Sequence, residues 1–338
     1  MGLVIGIILT IFVVAALVYA LAPWLVRPGW WLVLSPRYSF VVRGAENVPS
    51  EGPGLLVSNH VTWIDGFVLA AVTPRRVRYL VNADYINMPV IRSIAWRLGM
   101  LPLPATGPKA QRQAIQAARA RLDRGEMLGI FAEGQLSRNG LTGSFRRGLE
   151  AVMGDREDLV VVPVFIDNLW GSVFSFQGGG FFSHRPRGIR HRVGIVFGPP
   201  LRPPLTAAAV RQAVIEAGVH AFDLRNRTDR DRPLETLDPA LPGLTHEILG
   251  CLTGSSADYH RADVHQVGRK AGSVGHPLPG VAIRVVDEEG RQVGPDREGR
   301  LQVLKAGMSE WLDLAASGRV DKDGFVFLRV GEGTGPAA

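Results

Sequence analysis

Leu55-Leu56-Val57-Ser58-Asn59-His60-Val61-Thr62-Trp63-Ile64-Asp65 is the stretch on which the reading of this chain turns. The short apolar run Leu55–Val57 reads as a buried strand, and the polar break after it as that strand's C-terminal mouth. In α/β sheets that mouth is where ligands and chemistry collect. His60 and Asp65 stand five residues apart just beyond it. An imidazole held by a carboxylate is a general base, because the carboxylate fixes the tautomer and stabilises the imidazolium that forms. A His and an Asp at this spacing also recur by chance, and a lone His is more often a packed core residue. The companions decide.

Working outward, short apolar runs alternate with helical stretches from about Ser39 to Leu201. Expected strands are Gly54–Val57, Val77–Val81, Met127–Phe131, Val160–Ile166 and His191–Phe197. Expected helices are Gly66–Ala71, Pro89–Leu98, Lys109–Arg124 and Phe145–Met153, followed by Thr206–Val219 with Thr206 as N-cap. Strands separated by helices imply an α/β fold whose sheet is at least partly parallel. Arg225–Arg232 is dense in charge and reads as an exposed linker. Beyond Leu244 the chain turns Gly-rich and β-leaning, and Gly331–Ala338 reads as a loose tail.

The net charge of +7 and pI near 10.0 suit an anionic membrane surface, nucleic acid or a phosphate-bearing substrate. Nothing in the basic residues forms a nucleic-acid-binding pattern, so no nucleic-acid partner is expected. Cys251 is the only cysteine, which excludes an internal disulfide and any cysteine-based metal site. From Gly2 to Val26 there is no charged residue, enough to cross a hydrocarbon core that takes ~20 apolar residues. Trp24, Trp30 and Trp31 gather at its far end, and Arg27, Arg37 and Arg43 follow. This predicts an N-terminal membrane helix with the bulk of the chain on the cytoplasmic side. A secretory signal peptide is the rival reading, but a basic n-region is missing. Pro23 and Pro28-Gly29 also allow a helix that returns along the interface.

Three companions follow the His60–Asp65 pair along the chain. Phe131-Ala132-Glu133-Gly134 ends a strand with a carboxylate and a glycine, so that backbone can approach a ligand. Val161-Val162-Pro163-Val164 is a buried strand broken by proline, expected at an edge or an exit toward a cleft. Phe145-Arg146-Arg147-Gly148 places cations at a helix start, where phosphates also meet backbone N–H groups. Glu133 has a second reading as a helix cap or partner of Arg138, and Arg146 and Arg147 as a solvated patch.

In this order, Asn59-His60-x4-Asp65, Phe131-x-Glu133-Gly134 and Val162-Pro163-Val164 resemble the glycerolipid acyltransferase superfamily, the PlsC-like enzymes. Leu103-Pro104-Ala105-Thr106-Gly107-Pro108-Lys109, Glu133-Gly134-Gln135 and Leu169–Phe176 are similar to one branch. That branch is the 2-acylglycerophosphoethanolamine acyltransferase half of bifunctional acyltransferase/acyl–carrier-protein synthetases. The resemblance implies a mixed, largely parallel sheet flanked by helices, with His60 as base and Asp65 orienting it. It implies substrate contacts from Asn59, Glu133 and Gly134, and Arg146 and Arg147 beside them. The acceptor would be a lysophospholipid and the donor acyl-CoA or acyl–carrier protein, with neither metal nor organic cofactor. Related lysophosphatidic acid acyltransferases usually carry arginines at two places that here hold Ala105 and Leu136. Their loss weakens a phosphomonoester clamp and favours an acceptor whose phosphate already bears a headgroup. Lysophosphatidic acid stays as the alternative acceptor.

Gly272–Gly280, Val281–Asp287 and Gly318–Phe325 resemble adenylate-forming acyl-activating enzymes. The Gly-rich phosphate loop of those enzymes is missing, and Leu314-Ala315-Ala316 stands where they carry Thr-Gly-Asp. This reads as the remnant of a fused ligase, a small β-rich appendage without ATP chemistry. The expected organisation is an anchor at 1–35, an acyltransferase domain at 39–222, a linker at 223–243, the remnant at 244–330 and a tail at 331–338. The whole points to the bacterial cytoplasmic membrane. The rival from another class is a non-catalytic lipid-binding membrane protein.

Overall fold

Leu55, Leu56 and Val57 show no polar alternation because both faces of their strand are covered, as in a parallel sheet with helices on each side. A computed structural model describes residues 10, 13, 17, 20, 21, 24–83, 100–103, 107–177, 190–226, 229, 237–261 and 264–329. Strands β1 (Tyr38–Arg43), β2 (Gly54–Ser58), β3 (Val77–Asn82), β4 (Leu101–Leu103), β5 (Met127–Phe131), β6 (Val160–Asp167) and β7 (His191–Phe197) form one sheet. Their order is β1-β7-β6-β2-β5-β3-β4, and every pairing is parallel except β6 with β7. The α/β class with a mixed, mostly parallel sheet is therefore as expected. Ser58 lies in register with Phe131 on one side and Val164 on the other, so the motifs leave the sheet at one edge.

Period-two alternation divides the core. Leu56, Val164 and Ile166 face one way and meet helix α2 (Asp65–Val72) and a helix at 24–34, which is α1. Trp30 of α1 stacks on Phe67 of α2 with ring centroids 4.0 Å apart. Leu55, Val57, Leu128 and Val161 face the other way, against α3 (Pro108–Leu122), α4 (Gly148–Met153) and α5 (Ala207–Phe222). Pro108 opens α3 at its first turn, where its missing N–H costs nothing. Thr206 caps α5 as expected, its hydroxyl accepting the N–H of Ala209 at 3.1 Å.

Several expectations change in detail. The helix expected over Phe145–Met153 starts only at Gly148. Phe145 turns into the core, and Arg146 donates its N–H to the carbonyl of Ala132, so these residues belong to the loop before the helix. Strands β1 and β4 had no expected counterpart. Pro163 lies not on an edge strand but on β6, between β7 and β2. Its carbonyl accepts from Gly198, just past the end of β7, so its missing N–H falls where no strand needs it. Arg225, at the start of the charge run, is not loose: its guanidinium grips buried Asp167 at 2.6 and 2.7 Å. The helix expected at Pro89–Leu98 lies outside the described residues, as does most of the 1–35 span. No helix among the described residues is long and apolar enough to cross a membrane.

The C-terminal appendage is ordered. Strands β8 (Val281–Val286), β9 (Gly299–Lys305), β10 (Leu312–Val320) and β11 (Val326–Leu328) make an antiparallel sheet with its own core around Ile283, Leu301, Val303 and Val326. It docks on α5, where Val219 packs with Ala282 and Leu304.

Candidate active site

The geometry around Asp65 follows from its position in the first turn of α2, where the helix dipole favours a negative charge. The residues before it bend so that their N–H groups converge on its carboxylate. Oδ2 accepts from Val61 N at 2.7 Å and from Thr62 N at 2.9 Å, while the Thr62 hydroxyl donates to Oδ1. The third partner of Oδ2 is His60 Nδ1 at 2.9 Å. Asp65 is completely buried, and the His60 side chain keeps 21% of its surface. A carboxylate already receiving three backbone or hydroxyl donors accepts, and does not donate, toward the imidazole. His60 therefore holds its proton on Nδ1, and Nε2 is the basic atom. Phe131, at the end of β5, stacks on the imidazole at 4.1 Å and an interplanar angle of 17°, which fixes the ring plane.

Glu133 comes from the next strand end and is 5% exposed. Its Oε1 accepts the His60 N–H and its Oε2 the Gly143 N–H, both at 2.8 Å. Burial pushes its carboxyl up to about 7, against the pull of the two N–H groups and of the His60 and Arg211 charges. Gly134 has φ +67, and a Cβ there would stand 2.5 Å from Arg146 Nε, so only glycine lets that side chain cross. Arg146 Nε donates to the Glu133 carbonyl at 3.1 Å.

Five of the seven expected site residues thus cluster: His60, Asp65, Glu133, Gly134 and Arg146. Asn59 is turned into the sheet, where its side chain exchanges two hydrogen bonds with the backbone of Ile166 at 2.8 and 3.0 Å. Arg147 is exposed at the N-cap of α4. Residues that sequence reasoning missed are Thr62, Ser137 and Arg211. Thr62-x-x-Asp65 is a capping-box spacing and could have been found. Ser137 donates its N–H to the His60 carbonyl at 2.8 Å, and no local pattern announces that. The run Leu169–Phe176 does reach the site: Thr62 bridges to Ser175, and Trp63 N–H bonds the Phe174 carbonyl. Among the described residues no cluster of His, Cys, Asp and Glu could hold a metal ion.

Residues 39–167 match the sequence profile of the Acyltransferase family. The matched stretch is the part of the chain that holds His60, Asp65 and Glu133. A chloroplastic 1-acyl-sn-glycerol-3-phosphate acyltransferase of Arabidopsis thaliana is 26% identical over 46% of this chain and 43% of its own length. Its counterpart from Brassica napus is 25% identical over 46% of this chain and 45% of its own. The matched part thus spans less than half the length of these relatives. The 1-acyl-sn-glycerophosphate acyltransferase PlsC from Thermotoga maritima matches with a TM-score of 0.46 and 18% identity, over 62% of this chain and 80% of that one. A long-chain-fatty-acid–CoA ligase from Archaeoglobus fulgidus matches over 35% of this chain and 25% of its own, at 16% identity and a TM-score of 0.20.

Proposed function

We propose that the protein transfers an acyl group from a thioester, acyl-CoA or acyl–carrier protein, to the free hydroxyl of a lysophospholipid. The observation that carries this is His60 Nδ1 held at 2.9 Å on a buried, fully donated Asp65 at the mouth of β2. Nε2 takes the proton of the glycerol hydroxyl as its oxygen attacks the thioester carbonyl. The tetrahedral adduct collapses to the ester and expels the thiolate, and the imidazolium returns its proton to that sulfur. Asp65 stabilises the imidazolium between the two steps. Glu133 and Gly134 shape the acceptor side of the site, and no cofactor takes part.

The acceptor reading rests on the cations. Leu136 stands where an arginine would clamp a phosphomonoester, and Arg138, which could compensate, lies 3.2 Å over the Phe176 ring and 5.1 Å from Tyr259. Exposed Arg146 and Arg147 are left for a phosphodiester, which carries one charge rather than nearly two. This favours a headgroup-bearing lysophospholipid. The second reading, lysophosphatidic acid, is supported by what the two plant relatives are called. The substrates and the exposed apolar side chains of Trp24, Trp31, Leu32 and Val33 on α1 also support a bilayer partner, reached by the N-terminal segment. With the arginines that follow that segment, the catalytic domain belongs on the cytoplasmic face of a bacterial membrane.

The test is acyl transfer by detergent-solubilised protein offered acyl-CoA or acyl–carrier protein and a panel of lysolipids. Lysophosphatidylethanolamine-type acceptors should be used faster than lysophosphatidic acid. A panel with no transfer above a His60→Ala control sinks the reading and leaves a lipid-binding role.

A further inference from the structure

We infer that the C-terminal segment braces the acyltransferase site, with Gln266 and Arg211 as positioning residues that hold the 133–143 loop on His60. The inference rests on the acyl-transfer reading above. His60 is gripped by this loop through both of its backbone groups: its N–H donates to Glu133, and its carbonyl accepts from Ser137, each at 2.8 Å. Whatever fixes the loop therefore fixes the base.

The loop is fixed from far along the chain. Gln266, 9% exposed, accepts the Arg138 N–H at 2.6 Å and donates to Asn139 Oδ1 at 2.6 Å. Asn139 Nδ2 donates to Ser256 Oγ at 3.0 Å, and Gln135 Nε2 reaches the His265 carbonyl at 3.2 Å. At the far end of the loop Arg211 of α5 donates to the carbonyls of Thr142 and Gly143, both at 2.8 Å. Gly143 in turn donates to Glu133. The guanidinium is itself walled in by the C-terminal segment: a Cβ at Gly324, φ +90, would stand 2.2 Å from it. The charges of Asp321 and Asp323 face it, and both also bind Lys270, at 2.5 and 2.6 Å. Polar side chains buried at a contact are costly unless each finds its partner. Asn139 and Gln266 answer each other across the contact, which is what a built brace requires and an incidental docking does not.

The experiment uses the full chain with Gln266→Leu, which keeps the volume and removes both hydrogen bonds, and Arg211→Lys, which keeps the charge and removes the fork. Arg291→Ala, on an exposed turn of the same segment, is the control. Gln266→Leu should lower kcat about tenfold with both KM values within about twofold, since displacement of a base affects turnover more than binding. Amide exchange in 133–143, at Ser137 and Gly143 above all, should rise about tenfold while the core strands keep their protection. Arg211→Lys should move both readings the same way by less, and it decides alone if Gln266→Leu does not fold. Turnover per folded molecule equal to wild type, or exchange that rises evenly through the fold, overturns the brace. A wild-type protein inactive on every lysolipid defeats the acyl-transfer reading instead, and the exchange pattern then decides whether the loop is braced.

Discussion

Two pieces of backbone meet at His60, and they are held in opposite ways. The turn from His60 to Asp65 supplies its own partners: the carboxylate of Asp65 collects Val61 N, Thr62 N, the Thr62 hydroxyl and His60 Nδ1 within five residues. The loop from Glu133 to Gly143 takes its support from residues about seventy to a hundred and thirty positions away, Arg211, Ser256 and Gln266. The hydrogen bonds of the His60 side chain are local, whereas the loop that grips its backbone is supported from afar. A segment with no nucleotide loop of its own can still act through the second.

The comparison breaks first at the turn. His60→Ala should lower kcat by about a thousandfold, the usual contribution of a positioned general base, read as initial transfer rate per folded molecule. Asp65→Asn should cost about a hundredfold or more. An NH2 at the Oδ2 place faces His60 Nδ1 and two backbone N–H groups and upsets the tautomer. An NH2 turned to the Thr62 hydroxyl keeps the tautomer but loses the charge that stabilises the imidazolium. Its signature is a loss in kcat with little change in KM. The loop should yield less: Glu133→Gln puts an NH2 against one of two backbone donors and should cost about tenfold. That variant also carries a pH signature. Glu133 binds its proton more tightly folded, at about 7, than its ordinary value of 4.5, so it destabilises the fold as pH rises. Between about pH 4.5 and 7 the wild-type protein should lose up to about 3 kcal/mol from this group, and Glu133→Gln should not. Denaturant melts at several pH values read the difference. Smallest for activity is Arg225→Ala, which frees buried Asp167 away from the base. It should lower stability by about 2–3 kcal/mol and leave kcat within twofold.

How much of this was legible follows from range. Five strands of the main sheet are dominated by apolar residues and were found nearly to the residue. β1 alternates with Ser39 on a partly exposed edge, and β4 is three residues built around Pro102, so neither offers a run to find. His60 and Asp65 were legible because the turn is self-sufficient. Gln266 and Arg211 were not, because a glutamine before a Gly-rich stretch and an arginine inside a helix carry no trace of the loop they hold. Pro163 misled for a related reason: its tolerance depends on where β7 stops, which only the assembled sheet fixes.

The central claim, that His60 oriented by Asp65 is the acyl-transfer base, is tested most directly in a single-turnover assay. Labelled acyl-CoA and a lysophospholipid are mixed with excess protein as wild type, His60→Ala and Asp65→Asn, each shown to be folded. The account predicts diacyl product from the wild type and a rate lower by about a hundredfold or more in both variants. Product formed by either folded variant at the wild-type rate would contradict it.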